Sequence, residues 1–267
     1  MSGRPTAVRS SAAAATALVL LVLLVSGCSD HHDHGPEVPA SARDALGCAG
    51  APYAKGSGNY DTGPENVQDD ARKALDDWLD EEGSEVPDVR LAETARHGGA
   101  ALFTWTDGRE TLAAFVVQDD TDGLDGDRGW GVTSYAVCDP AEWPPEQSDE
   151  AGIQVWSNAD GDRVPTSLVH SEAGPEHCDW QGMTFLFLGS DGEDGEFYGT
   201  PPRELQKLLT TTYAAHAELP GDARDTGFQR DGRELWVAAD GSAAYLVAAD
   251  GDAQRWPGPS GTPIRCA

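Results

Sequence analysis

Basic residues are scarce. Lys and Arg together number 18 in a chain of 267 residues, against 46 Asp and Glu, for a formal net charge of −28. Only Lys55, Lys73 and Lys207 are lysines. A nucleic-acid partner needs clustered Lys and Arg against phosphate, so this balance excludes one. Long apolar runs are lacking too. The longest, Ala12 to Val25, has fourteen residues with Thr16 its one polar member, short of the about 20 that cross a bilayer as a helix. No G-x-S-x-G, H-E-x-x-H or P-loop pattern occurs. Carboxylates are so numerous that a pair for glycoside hydrolysis cannot be chosen without distances. No catalytic residue is assigned, and the chain reads as a non-enzyme. Aromatics make up 7% of the chain, yet eight Trp argue against disorder along its whole length.

The short apolar run has a different meaning. Arg4 and Arg9 precede it, and Leu24-Val25-Ser26-Gly27-Cys28 ends it. A basic start, a short apolar stretch and small residues before a cleavage point make an export signal. Ser26 and Gly27 directly before Cys28 resemble the lipobox of bacterial lipoproteins. That resemblance implies a diacylglycerol thioether on Cys28 and cleavage before it. Cysteine arithmetic agrees: of Cys28, Cys48, Cys138, Cys178 and Cys266, lipidating the first leaves four, an even number suited to an oxidising compartment. Two acyl chains anchor firmly where one is marginal. The expected location is the outer, extracytoplasmic face of the cell membrane. Beyond residue 27, 16 basic residues face 46 acidic ones, a charge of −30 that repels anionic surfaces and favours a basic or cationic protein partner.

The expected organisation is a signal peptide over 1–27, a disordered tether over 28–45, a first α+β unit over 46–143, a linker over 144–152 and a second α+β unit over 153–267. The tether contains His31, His32 and His34 with Asp30 and Asp33. They read as solvated linker, because a short flexible run has no fixed ligand geometry. The two units look like a diverged repeat running from Cys48 to Cys138 and from Cys178 to Cys266. In the first, Thr62-Gly63-Pro64-Glu65 is a capping-box pattern, and Val67, Ala71, Ala74, Leu75, Trp78 and Leu79 form one helical face before Gly83. In the second, Thr200-Pro201 opens a helix with Leu205, Leu208, Leu209 and Thr212 as its stripe. Each helix precedes two strands joined by an Asp-Gly turn, at Asp107-Gly108 and Asp240-Gly241. A Trp-containing strand and a Cys follow. The expected fold is therefore α+β: two similar antiparallel sheets, each backed by one helix, with an extra hairpin of Ile153–Trp156 and Arg163–His170 in the second. Pairing within units gives Cys48–Cys138 and Cys178–Cys266. The main rival is Cys138–Cys178.

Gly174-Pro175-Glu176-His177-Cys178-Asp179-Trp180-Gln181 is the most distinctive block. With the lipobox it resembles a group of uncharacterised membrane lipoproteins of actinobacteria. The resemblance implies a location and no activity. His177 beside Glu176 and Cys178 has metal or nucleophile chemistry in principle, but an exported Cys with a partner available is ordinarily a disulfide. The acidic runs 119–127 and 191–196 and the loop Asn158–Asp162 offer calcium-type oxygens, and none fits the twelve-residue calcium loop. No metal ligand and no cofactor is assigned. Trp143, Trp156 and Trp180 could stack sugars, with core packing the default. The function expected is a non-enzymatic binding or accessory role at the cell surface. The alternatives are a solute- or cation-binding lipoprotein and, behind these, a surface hydrolase.

Overall fold

The computed structural model describes residues 36–56, 67–82, 86–108, 110–122, 128–189, 192–261 and 264–265, with only the backbone of Asp120 and Asp122. The expected signal peptide over 1–27, Cys28, the His-Asp run, the expected capping box at 62–65, Gly83, residues 123–127, Asp191 and Cys266 lie outside the described residues. Among the described residues no helix is long and apolar enough to cross a membrane.

The described residues are mostly β, with fifteen strands in three antiparallel sheets among them. This corrects the expected α+β arrangement of helix-backed sheets. Strands β1 (Ala54–Gly56), β2 (Ala92–His97), β3 (Ala100–Asp107), β4 (Glu110–Asp122) and β5 (Arg128–Val137) form the first sheet in the order β1-β5-β4-β3-β2. The hairpin from β3 to β4 turns where Asp107-Gly108 puts it. One face packs Phe103, Trp105, Phe115, Val117 and Val132 against Ala71, Ala74, Leu75 and Trp78 of helix α1 (Ala71–Glu82). The helix starts later than the apolar pattern implies. Gln68 exchanges backbone hydrogen bonds with Trp130 instead, and the Asp70 carboxylate accepts from the amides of Arg72 and Lys73 at 2.9 and 3.2 Å, capping the helix. The opposite face, with Leu102, Ala114, Val116 and Ala136, is covered by Val38, Ala42, Ala45 and Leu46. Residues 36–45, assigned to the tether by sequence, thus contain a 3-10 turn (Ala42–Ala45) whose Ala42 is fully buried and bonded through its amide to Ser134 Oγ.

The rest of the chain is a sandwich of two sheets. Strands β6 (Ile153–Val155), β8 (Val169–Ala173), β9 (Thr184–Leu188) and β10 (Gly195–Gly199) form one, in the order β10-β9-β8-β6. Strands β7 (Ser157–Asn158), β11 (Ala214–Ala217), β12 (Arg224–Arg230), β13 (Arg233–Val237), β14 (Ala243–Ala248) and β15 (Ala253–Pro257) form the other, in the order β11-β15-β14-β13-β12-β7. Val169, Leu186, Leu188 and Phe197 of the first meet Leu235, Val237, Ala244, Leu246 and Trp256 of the second in a shared core. The arms of the expected extra hairpin do pair antiparallel, Val155 with His170 and Ser157 with Arg163, but they are divided between the two sheets. Trp156, 1% exposed, sits at a corner where the chain leaves one sheet for the other: β6 pairs with β8 and β7 with β12.

The second expected helix is absent. A 3-10 turn, Arg203–Leu208, stands in its place, and Leu209 bridges to Pro259 while Ser260 N–H bonds Leu208 O and Thr210 N–H bonds Gly258 O. The β-branched run Thr210-Thr211-Thr212 favours extended backbone and feeds β11. Leu205 and Leu209 are buried against the outer face of the four-stranded sheet with Met183, Phe185 and Tyr198, and Leu208 is exposed.

Cys48 and Cys138 are joined by a disulfide closing 90 residues of sequence separation. Cys178 is also disulfide-bonded, with its partner outside the described residues. The described residues make one compact unit.

Candidate functional site

The stretch after β5 ties the first sheet to the sandwich through polar contacts. Asp139 is 7% exposed, and its carboxylate accepts from Thr166 N–H at 3.0 Å, Thr166 Oγ1 at 2.9 Å and Ala141 N–H at 2.8 Å. Arg163 reaches back in the other direction, donating to Pro140 O at 3.0 Å, to Ser148 Oγ at 2.8 Å and to Trp143 O. Burial lowers the pKa of this guanidinium from its ordinary value. Residues 144–152, assigned by sequence to a linker, carry helix α2 (Pro145–Glu150), whose Ser148 is the hydroxyl Arg163 meets.

Two adjoining hollows open beside this junction, of about 340 and 380 Å³, sharing Tyr53 and His170. The floor of the first is the outer face of the four-stranded sheet, which the second meets at His170. Side chains alternate along β8: Val169 and Ser171 turn inward, leaving His170 and Glu172 on the outer face. Register then builds two rows across the sheet. His170 pairs with Phe187 and Phe187 with Glu196, while Glu172 pairs with Phe185 and Phe185 with Tyr198. The rings form a ladder: His170 stacks on Phe187 with centroids 4.9 Å apart, and Phe187 stacks on Phe185 at 6.2 Å. Tyr53, 41% exposed at the approach to β1, and Pro175 complete the lining with Ile264 and Arg265. Gly174, next to Pro175, must be glycine, since a Cβ there would lie 2.4 Å from Trp180 O.

The wall at the chain's end is pinned. Tyr198 OH donates to the buried Glu196 Oε1 at 2.6 Å and accepts from Ile264 N–H at 2.9 Å. Arg265 Nη1 donates to the same Glu196 oxygen at 2.6 Å. Burial, and then the bond to Glu196, push the Tyr198 phenol above its ordinary range. Arg265's own hydrogen bond to Glu196 raises the pKa of its guanidinium.

Glu172 differs from every other carboxylate near it. It is half-buried between His170 and the phenylalanine rows, and among the described residues it has no hydrogen bond and no ion pair. Burial pushes its pKa up, with His170 and Arg265 opposing and Glu196 adding to the rise. His170 Nδ1 lies 2.8 Å from Thr166 O. A carbonyl only accepts, so Nδ1 carries a proton, and Nε2 of the neutral ring is an acceptor. The groove therefore offers two acceptors on an aromatic floor.

The residues singled out by sequence lie elsewhere. Glu176 and His177 are exposed on a 3-10 turn (Glu176–Cys178), closed by Asp179 in the left-handed region at φ 59°, and Cys178 is oxidised. In the loop from Asn158 to Asp162, Asn158 Oδ1 accepts from the amides of Asp160 and Asp162 at 3.0 and 2.9 Å, so that oxygen closes the turn. No group of three or more potential metal ligands occurs among the described residues. Trp143 and Trp156 are core residues, 2% and 1% exposed, with Trp143 packed edge-on to Trp105. Sequence reasoning missed Tyr53, Glu172, Phe185, Phe187 and Arg265. The one local signal was the alternation Val169-His170-Ser171-Glu172, which places two polar groups on one face of a strand.

Compared with known proteins, the chain matches no family model, no curated protein and no solved structure.

Proposed function

We propose that this protein is a lipid-anchored binding protein of the outer face of the cell membrane, without catalytic chemistry of its own, and that the groove at Tyr53, His170 and Glu172 holds its ligand. The location rests on the sequence: the lipobox ending at Cys28, the odd cysteine count and the acidity of the exported part. The oxidised Cys48–Cys138 pair fits that compartment. The observation that carries the binding role is the groove itself, a concave, aromatic-floored hollow at a polar junction, faced by a carboxylate with no partner among the described residues. One carboxylate and one imidazole whose Nδ1 is bonded to a carbonyl do not make a nucleophile–base pair, and a binding role needs none. A solute-binding role is favoured over a flat protein epitope by the volume of about 340 Å³, which suits a small molecule or a single side chain.

The test has two parts. Cys28→Ala should move the chain from the membrane fraction to the medium. A photo-cross-linking residue at position 53 should capture ligand on the intact, anchored protein, while one at exposed Asp250 should not. Adducts equal at both positions would overturn the groove as the binding site. Membrane retention of the Cys28→Ala protein would overturn the anchor.

A further inference from the structure

We infer that the groove binds a primary alkylammonium group, with Glu172 as its counter-ion, His170 as a second acceptor and the Phe187–Phe185 ladder beneath its alkyl chain. This rests on the groove being the binding site and names the chemistry it selects.

Four observations converge. Glu172 is a half-buried carboxylate with no bonding partner among the described residues, so in the empty groove its ionised form is poorly compensated. Arg265, a cation lining the same groove, does not supply the partner: its Nη1 bonds Glu196 at 2.6 Å and Ile264 O at 3.0 Å. His170, with Nδ1 held by Thr166 O, offers an acceptor and not a donor when neutral. The floor is aromatic, and ring faces attract cations. A ligand bringing N–H donors, positive charge and an apolar stem meets all four.

The same facts argue against other occupants. An anion would sit between Glu172 and Glu196 with only Arg265 in its favour, and Arg265 is already paired. A hard divalent cation wants six or more oxygens, and among the described residues the groove presents one carboxylate without a partner. The charges facing Glu172 are His170 from its own strand, Glu196 from β10 and Arg265 from the chain's end, so counting His neutral the local sum is negative. The overall charge of −28 adds long-range attraction for a cation.

An ammonium on an alkyl stem is shared by a lysine side chain of a partner and by a free alkylamine. The experiment uses full-length oxidised protein and follows backbone amide NMR shifts of residues 169–173 and 184–188. The probes are butylamine, a short lysine-bearing peptide, butanol and butyrate. Butylamine or the peptide should shift these amides saturably, with the tighter of the two naming the source. Butanol and butyrate should not. Glu172→Gln, which keeps the shape and removes the charge, should weaken amine binding about tenfold or more. Phe187→Leu, which keeps an apolar floor without a ring, should weaken it a few-fold. Equal amine affinity in the Glu172→Gln protein would overturn the inference. Binding of butyrate or butanol but no amine would overturn it while leaving the groove as a binding site. No shift with any probe would count against both.

Discussion

Asp139 holds the groove's geometry, and removing its carboxylate tests that directly. In Asp139→Ala, Thr166 N–H, Thr166 Oγ1–H and Ala141 N–H each lose the acceptor they now have within 3.0 Å. Thr166 is almost wholly buried, so water does not readily replace the carboxylate. A stranded buried donor costs roughly 1–3 kcal/mol, and loss of a cap such as that at Ala141 about 0.5–2. Against this, the variant no longer has to hold a carboxylate away from water. The net expectation is a loss of about 3 kcal/mol, or roughly 6–12 °C in Tm for a domain of this size. Equilibrium urea unfolding of wild-type and variant protein reads the change. Thr166→Val alone removes one donor and should cost about 1 kcal/mol, but in the Asp139→Ala background it should recover stability, because the stranded hydroxyl goes with it. The variant should also loosen the groove, since Thr166 O holds the His170 ring. An Asp139→Ala protein within 1 kcal/mol of wild type, or strictly additive variants, would refute the reasoning.

Other outcomes follow from the same contacts. Replacing both Cys48 and Cys138 by Ala frees a loop of 90 residues' separation; the chain-entropy model puts the loss near 4–5 kcal/mol, checked by urea unfolding under oxidising conditions. Glu172→Gln should stabilise the ligand-free protein at neutral pH. The folded pKa of Glu172 lies above its ordinary 4.5, so its favourable contribution is complete below that value, where the carboxyl is neutral in both states. It is lost as pH rises through the folded pKa. The Tm gap between variant and wild type should be near zero at pH 4 and grow toward pH 7; a gap that shrinks with rising pH contradicts the assignment. Tyr198→Phe removes the hydroxyl that joins Glu196 to Ile264 N–H. It should cost about 2 kcal/mol and raise hydrogen exchange at Ile264 and Arg265.

How much of this was legible in the sequence varies with the range of the interaction. The turns at Asp107-Gly108 and Asp240-Gly241 are where they were expected, because two residues and their φ preferences decide them. The Cys48–Cys138 bond was the preferred pairing. The groove was not legible, because Tyr53, Glu172, Phe187 and Arg265 come from four separate segments, and only strand register and the pinned chain end bring them together. That Glu172 has no partner among the described residues is a property of its neighbours, which no local pattern carries.

The missing second helix has a cause in the architecture. The strand order of the first sheet, β1-β5-β4-β3-β2, recurs in the six-stranded sheet as β11-β15-β14-β13-β12. What does not recur is the cover. In the first sheet the chain between the first two strands forms α1, and its apolar stripe closes one face of the sheet. In the other, β11 and β12 are joined through a turn at Pro220–Ala223, and the four-stranded sheet closes the face. A sheet face with a partner sheet has no need of a helix, and the leucines expected on that helix cover the partner's outer side, as Leu205 and Leu209 do beneath Tyr198 and Phe185. The groove exists because that cover is partial. Leu205 and Leu209 pack with Tyr198 of β10 and Phe185 of β9, and β8, on the far side of β9 from β10, keeps His170 and Glu172 open toward Tyr53.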